Sequence, residues 1–446
     1  MAFKFKRGFL AKSKTQIVLI GIIFLCLPGM YNALNSMGGG GQVDSSTASS
    51  ANTAIYALLA IFGILGAAVI NQAGVRMTIF FGGLTFSLYT LSYVYYNKTG
   101  KSFFTILSGA ILGIGAGIAW TGQGMIMTSY PIEKEKGNFI SIFWIIFSLG
   151  GVIGSAIPLI VGLGDKPLPD SGYIAFAAIQ ILGSFLCLVL VPPTKVIKTD
   201  GTTVEIQSKI DIKEEIFQLV LLFKNKIMLV FIPIMFASNF YNSFIFNIFN
   251  LTNFTSDSRG FNNLIFYIFE IIGAFLISKI LDMKTTRRRR AYISSLIVYL
   301  IVNILWILIF FQQRRFDALK KDPEFTLYNY KSTGSKYVYP CILYAMLGTM
   351  DAIFQSYAYW MVGSLSNNST VLSRYVGFFK FIQSIGSCVS YAIDASGVSS
   401  LTQFIINWVL IITILPSMAY LCSKTVETFE TTADKCDVEI SSSSSK

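Results

Sequence analysis

Twelve apolar segments, each about as long as a membrane-crossing helix, limit what this chain can fold into. A helix needs about 20 apolar residues to cross the hydrocarbon layer of a bilayer. Inside that layer the backbone must satisfy its own hydrogen bonds, which a helix does. The pattern therefore predicts an all-α integral membrane protein with twelve transmembrane helices. The approximate cores of the segments are residues 15–36, 52–72, 77–96, 103–128, 139–163, 172–192, 227–249, 261–281, 291–311, 340–363, 374–394 and 400–422.

Composition supports the membrane class and argues against several others. The 446 residues are 53% hydrophobic and 13% charged, whereas soluble proteins average about 25% charged residues. The net charge of +12 comes from basic residues between the apolar segments, where they set orientation and contact anionic lipid rather than nucleic acid. The chain has no histidine, so a proton relay would need carboxylates. No catalytic triad, metal cluster or phosphate loop is visible, and we expect no enzyme, metal or cofactor.

The apolar segments form two sets of six, separated by a polar connector. This layout predicts two six-helix halves, as in duplicated helical transporters. Apolar residues at helical spacing within 210–223 also predict a short interfacial helix in the connector. The predicted division is a basic cytosolic arm 1–14, an N-terminal half 15–193, a cytosolic linker 194–226, a C-terminal half 227–422 and a disordered cytosolic tail 423–446.

Basic residues sort the loops into two sides. With both termini in the cytosol, the basic run 284–290 lies inside, and the stretch 36–52, which has no Lys or Arg, lies outside, as the positive-inside rule requires. The loop 312–339 disagrees, because it carries six basic residues and falls outside. The charges of the other loops outweigh this one in setting the predicted orientation. We expect the protein to reside in the plasma membrane or an endomembrane. Three sequons then fall outside as glycosylation candidates, those of Asn97, Asn250 and Asn253.

Polar side chains inside the apolar segments indicate a central cavity. Asn32 and Asn35 share one helix face, and glycines 38–41 after them predict that the helix unwinds into a flexible mouth. Amides inside a bilayer face protein or water. The alternative is simple interhelical hydrogen bonding, worth about 0.6 kcal/mol each. The predicted substrate-binding residues are Asn32, Asn35, Trp120, Gln123, Asn239, Asn242, Asp351, Gln355 and Lys380.

Few charges lie within the apolar segments, and each is therefore a functional candidate. Glu270 or Asp351 could carry a coupling proton, since a carboxylate without a cationic partner can take up and release one. The alternative for Asp351 is a structural ion pair with Lys380, because these two residues lie on neighbouring segments.

Four stretches resemble the UNC-93-like family of ion channel regulatory proteins, a branch of the major facilitator superfamily. The most specific is GMYNALNSMGGGGQ at 29–42. The others are SYPIEKEKGNFISIFW at 129–144, DAIFQSYAYW at 351–360 and GFFKFIQSIG at 377–386. The resemblance implies the twelve-helix major facilitator fold and residence in a membrane. It leaves function open, because members are named as channel regulators or as trafficking partners of receptors.

The superfamily resemblance also points to a gating loop between the second and third segments. In that superfamily this loop carries an acid, a glycine three residues later and basic residues next. Here Asn71 replaces the acid, whereas Gly74 and Arg76 fit. The alternative is an ordinary polar hairpin.

Two functions from different classes remain at this point. The first is a secondary transporter that moves a small solute or ion by alternating access, with proton coupling as an option. The second is a membrane regulator or trafficking partner that binds another membrane protein and transports nothing. The expected partners are the lipid bilayer, a small solute or ion of unknown identity, or another membrane protein.

Overall fold

The computed structural model describes residues 7–132, 135–163, 166–204, 212–366 and 369–427. This part of the chain is almost entirely helical, and its only β-type pairs are isolated bridges. Eleven of its helices are long and apolar enough to cross a membrane, and the number becomes twelve if one bent pair counts as a span. These helices confirm the predicted all-α membrane fold.

The N-terminal half provides six spans. The first is interrupted at Pro28, which has no N–H to donate to the preceding turn, so a π-helical segment, Leu25–Gly29, joins α2 to α3. The helices are α1 (Arg7–Leu10), α2 (Ser13–Phe24), α3 (Met30–Ser36), α4 (Ser46–Ala73), α5 (Val75–Thr99), α6 (Phe103–Ser129), α7 (Lys136–Val161) and α8 (Asp170–Leu186).

The predicted linker helix is present as α9 and precedes the C-terminal half. The remaining helices make up this half, and a π-helical segment, Phe244–Asn250, lies between α10 and α11. The helices are α9 (Ile212–Leu222), α10 (Lys226–Ala237), α11 (Ser256–Leu281), α12 (Arg287–Leu319), α13 (Ser335–Ser364), α14 (Ser369–Ala395) and α15 (Ser400–Lys424).

The seventh span is not the single helix that the sequence predicts at 227–249. It breaks after Ala237, and helical structure resumes only near Phe244. The intervening residues are rich in serine and asparagine, whose side chains compete for backbone hydrogen bonds. The helices α9 and α10 meet at 88°, so α9 runs across the direction of the spans, as an interfacial helix would.

Two separate apolar clusters form the core. One contains buried residues between Ile17 and Val204, and the other contains buried residues between Leu222 and Cys422. The clusters follow the two predicted halves, whose boundaries stay predictions. The helix α15 and the ordered residue Val426, which donates to Ser364 O over 2.9 Å, extend into the predicted tail. Residues 1–6, 133–134, 164–165, 205–211, 367–368 and 428–446 lie outside the described part.

Two of the predicted glycosylation sites are wrong for this fold. Asn250 and Asn253 are both 0% exposed. Their amide nitrogens donate to the backbone, Asn250 to Ser36 O over 3.1 Å and Asn253 to Phe249 O over 2.8 Å. A glycan needs a free, exposed nitrogen, so neither side chain can carry one in the folded protein. Asn97 is exposed and its nitrogen donates to the Asp170 carboxylate over 2.9 Å, so its glycosylation stays a prediction.

The second and fourth spans pack closely through glycines, as small residues in membrane helices allow. A Cβ atom built on Gly113 of α6 would lie 2.4 Å from the carbonyl oxygen of Ile55 on α4. By contrast, a Cβ atom on Gly63 of α4 would meet nothing within 4 Å. The contact at Gly113 therefore depends on the missing side chain.

We predict that Gly113→Ala lowers the free energy of unfolding by about 1–3 kcal/mol, because the new methyl group overpacks the contact. Thermal unfolding of the purified protein in detergent measures this. The matched control Gly63→Ala should be neutral or slightly stabilising. Equal melting temperatures for the two variants would contradict the predicted packing.

Candidate functional site

The first span ends in carbonyl groups that the other half of the protein satisfies. The last turn of a helix leaves its carbonyl oxygens without partners inside the helix. At the end of α3, Ser36 O accepts from the amide of Asn250 over 3.1 Å and from the hydroxyl of Tyr344 over 3.3 Å. Side chains from the C-terminal half therefore cap the first helix of the N-terminal half.

Arg259 supplies the strongest part of this cap. Its side chain is 2% exposed, and one guanidinium nitrogen donates to Met37 O over 3.2 Å and to Gln42 O over 2.9 Å. The other terminal nitrogen donates to the hydroxyl of Ser256 on its own helix over 2.5 Å. Because a helix ends with partial negative charge, a cation here meets a favourable field without a carboxylate.

The glycine turn after α3 is ordered, and the predicted flexible mouth is wrong. Glycines 38–41 are buried and all have positive φ, a region that side chains disfavour. A Cβ atom on Gly38 would lie 2.4 Å from Phe246 O, and one on Gly40 would lie 2.4 Å from the hydroxyl of Tyr93. The glycines therefore allow a turn that fits tightly between the halves.

A second set of contacts joins the halves beside this turn. The carboxylate of Asp394 accepts from the hydroxyl of Ser49 over 2.5 Å and from the amide of Asn247 over 2.8 Å. The Asn247 oxygen in turn accepts from Gly39 N over 2.9 Å. This carboxylate is buried, and neutral donors surround it.

Asn35 belongs to these contacts rather than to an open cavity. Its amide donates to the hydroxyl of Tyr391 over 2.9 Å, and its oxygen accepts from Asn52 over 2.7 Å. The stacked rings of Tyr56 and Tyr391, 5.7 Å apart, continue the same contact between α4 and α14. The alternative of interhelical hydrogen bonding therefore describes Asn35 in this structure.

A group of hydrogen bonds between the halves lies at one end of the bundle. They join residues 33–49 and Leu163 to residues 247–267, 344 and 391–394. We call this set the glycine-end gate and define it by glycines 38–41, Ser49, Asn247, Arg259 and Asp394.

A chain of amides in the middle of the C-terminal half connects Lys380 to Asp351. The ammonium group of Lys380 donates to the Gln383 oxygen over 2.9 Å, and the Gln383 nitrogen donates to the Gln355 oxygen over 3.0 Å. The Gln355 nitrogen faces Asp351 at 3.5 Å. The predicted alternative of a direct ion pair is wrong, because two amides separate the charges. We call these four residues the amide relay.

Asp351 also accepts a 2.6 Å hydrogen bond from the hydroxyl of Tyr241 on the broken seventh span. Asn239, from the same span, accepts from Gln355. The structure thus brings four predicted site residues together around the amide relay: Asn239, Asp351, Gln355 and Lys380.

Lys380 reaches across to the N-terminal half. Its ammonium nitrogen lies 5.8 Å from the ring centre of Trp120 and 5.0 Å from that of Tyr359. Trp144 completes the aromatic wall, 6.4 Å from Trp120 and 6.5 Å from Tyr359. Among the described residues, no carboxylate forms an ion pair with Lys380.

Asn32 and Glu270 face each other across a small cavity between the halves. Gly29, Phe147, Ser148, Gly151 and Tyr267 complete its lining. Its volume of about 20 Å³ is room for roughly one water molecule. Both polar side chains are only partly buried, and neither forms a hydrogen bond with another described residue.

The other predicted residues lie apart from the amide relay. Gln123 is buried, and the Asn242 oxygen is buried without a partner among described residues. Gly74 joins α4 to α5 with a φ of 75°, and Arg76 is exposed beside it. The side chain of Asn71 lies outside the described part, and the gating role of this loop stays a prediction.

Sequence reasoning missed Arg259, Asp394, Gln383 and Trp144. Arg259 precedes the predicted start of the eighth span at residue 261, so it counted as a loop residue, whereas α11 begins at Ser256. Asp394 was placed at the end of a predicted span. An acid or arginine within one turn of a span, beside buried amides, would have been the signal.

Comparison with known proteins agrees with the predicted resemblance. The sequence model described as "Ion channel regulatory protein UNC-93" matches residues 40–423. The chain is 38% identical over 410 residues to UNC93-like protein 1 of Arabidopsis thaliana, covering 91% of this chain and 89% of that protein. It is 35% identical over 414 residues to an UNC93-like protein of Schizosaccharomyces pombe, covering 92% and 82%.

Solved structures show the fold. The nucleoside transporter NupG superposes with a TM-score of 0.60 at 14% identity, covering 92% of this chain and 98% of that one. A D-xylose-proton symporter superposes with a TM-score of 0.58 at 13% identity, covering 94% and 97%. Both neighbours are major facilitator transporters. The chain therefore belongs to the UNC-93 family and has the major facilitator fold.

Proposed function

We propose that this protein moves a small solute or ion across a membrane by alternating access. The observation that carries the proposal is the position of the glycine-end gate. It closes one end of a two-half bundle, and partly buried polar groups lie deeper between the halves, around Glu270 and Lys380. A carrier needs two halves that can part at one end while a solute sits between them. We place the glycine end on the side away from the cytosol, with both termini inside.

Proton coupling is the finer part of this proposal. Asp351 has only neutral donors, Tyr241 and Gln355, and Glu270 has no hydrogen bond among described residues. Burying two carboxylates without a cationic partner is energetically unfavourable, so such residues in membrane spans are candidates for a functional role. Because they interact electrostatically, a proton taken up by one changes the charge that the other experiences.

The second candidate function is a regulator or trafficking partner of another membrane protein. Two observations favour it. The matching family carries the description of an ion channel regulator, and the cavity beside Glu270 has room for little more than one water. In this role the glycine-end gate would hold one fixed shape for a partner to bind.

We predict that Arg259→Gln opens the glycine-end gate more often. The variant loses charge-assisted hydrogen bonds worth about 1.5–3 kcal/mol, and each 1.4 kcal/mol is about a tenfold change in an equilibrium. Hydrogen exchange of the peptide amides in residues 38–42 should accelerate at least about tenfold. The control Arg315→Gln removes an exposed arginine of α12 and should leave exchange unchanged. Unchanged protection in Arg259→Gln would contradict the role of this residue in the gate.

We predict that Glu270→Gln and Asp351→Asn alter the pH dependence of transport. Each change keeps the shape and removes the titrating group, so a rate that varies with pH in the wild type should vary less. Solute-driven proton movement into proteoliposomes, followed with an internal pH dye, measures this. Glu324→Gln, which removes an exposed acid in the loop after α12, is the matched control. If both interior variants keep the wild-type pH profile, neither carboxylate couples a proton.

The two functions separate in one further experiment. Proteoliposomes incubated with a whole small-molecule extract should accumulate particular solutes relative to empty liposomes, and Asn32→Leu should reduce this by removing the amide that faces the cavity. Accumulation is measured by mass spectrometry. A carrier accumulates solutes without other proteins. No accumulation, together with stoichiometric recovery of one other membrane protein on purification, would support the regulator instead.

A further inference from the structure

Lys380 is an interior cation that forms no ion pair with any acid in the described part of the chain. It lies near the middle of α14, and within the described part of the chain its one side-chain hydrogen-bond partner is the neutral oxygen of Gln383. An ammonium group has three donors, and this hydrogen bond occupies one of them. Among the described residues its other close neighbours are the rings of Trp120 and Tyr359.

The amide relay lies between this cation and Asp351. Gln383 donates to Gln355, and Gln355 has its nitrogen directed toward Asp351 and Ser238 O. Every donor in the relay therefore points away from Lys380 and toward Asp351. This order holds the lysine in place while preventing the ion pair that would neutralise it.

The hydroxyl group of Tyr359, whose ring lies beside the lysine, lacks a hydrogen-bond partner among the described residues. The hydroxyl oxygen of Tyr359 is enclosed and has no hydrogen-bond partner among the described residues, although buried hydroxyl groups normally have one. The same ring lies 5.0 Å from the ammonium nitrogen. An oxygen acceptor placed beside this hydroxyl would give it the partner that it lacks among the described residues.

The walls around Lys380 are aromatic and come from both halves. Trp120 and Trp144 belong to the N-terminal half, and Tyr359 belongs to the C-terminal half. Trp144 is 38% exposed, so the wall is open to the surroundings on one side. Flat apolar surfaces with a few polar groups are typical of small-molecule sites.

We propose that Lys380, Tyr359, Trp120 and Trp144 form a binding site for a small organic anion, a carboxylate attached to a flat apolar body. The carboxylate binds the ammonium group of Lys380, and the body stacks against the tryptophans. This proposal names the substrate class of the transporter proposed above and rests on that function. An anion held here contacts both halves, so its binding can influence how they part.

Isothermal titration calorimetry of the purified full-length protein with three probes tests this. Benzoate has the required charge and ring, benzamide is its neutral counterpart, and benzylammonium has the opposite charge. We expect benzoate to bind with a dissociation constant of about 1 mM, as suits a ligand of this size, and the other two to bind at least about tenfold more weakly.

Variants separate the site from general effects on folding. Lys380→Arg keeps the charge and should retain benzoate binding, whereas Lys380→Gln should weaken it at least about tenfold. Lys279→Gln is the matched control, because Lys279 is an exposed lysine that also lies over an aromatic ring, 4.8 Å from that of Phe275. Its affinity should equal that of the wild type.

Three results would overturn the proposal: no benzoate binding up to about 10 mM, tighter binding of benzylammonium, or equal benzoate affinity in Lys380→Gln. Failure here is distinct from failure of the transporter function. Benzoate binding without benzoate exchange in proteoliposomes would retain the site and reject transport. Accumulation of other solutes without benzoate binding would retain transport and reject the site.

Discussion

The contact between Arg259 and the end of the first span holds the two halves together at the glycine end. A buried guanidinium is stable only where acceptors surround it, and here they are the carbonyl oxygens of the turn after α3. The guanidinium and the carbonyls belong to different halves. Parting the halves at this end would leave these carbonyl oxygens and one guanidinium nitrogen without each other as partners until water reached them. The same contact therefore closes the bundle and sets a cost for opening it.

The polar groups in the middle of the bundle are arranged differently from those at the gate. At the gate, buried polar groups are largely paired, whereas in the middle of the bundle charges are kept apart. The Asp351 carboxylate and the Lys380 ammonium are joined through Gln355 and Gln383 and do not touch. In the transporter that we propose, groups arranged in this way can take up a proton or bind a solute. A structural core would be expected to pair or exclude them.

The fold could be predicted largely from the sequence, because span length and apolar composition depend on the bilayer and not on tertiary detail. The family could be predicted because residues 29–42 are unusual in composition. The geometry of the site could not. Asn35 and Asn32 look equivalent three residues apart, yet one bonds to Tyr391 and the other faces a cavity. Helical spacing fixes which residues share a face, but not which of them meet a partner from a distant span. The burial of Asn250 and Asn253 likewise depends on contacts with distant spans, which the sequons themselves do not indicate.

The central claim is that the two halves part and close at the glycine end. Electron paramagnetic resonance distances test it directly, with spin labels on cysteines replacing the exposed Lys101 and Lys321 at this end, in a background without the native cysteines. A second pair of labels, replacing the exposed Gln72 and Lys284, reports on the opposite end. We predict two distance populations at the glycine end, with the longer one enriched by Arg259→Gln and accompanied by a shorter distance at the opposite end. A single distance at each end, unchanged by Arg259→Gln, would contradict alternating access.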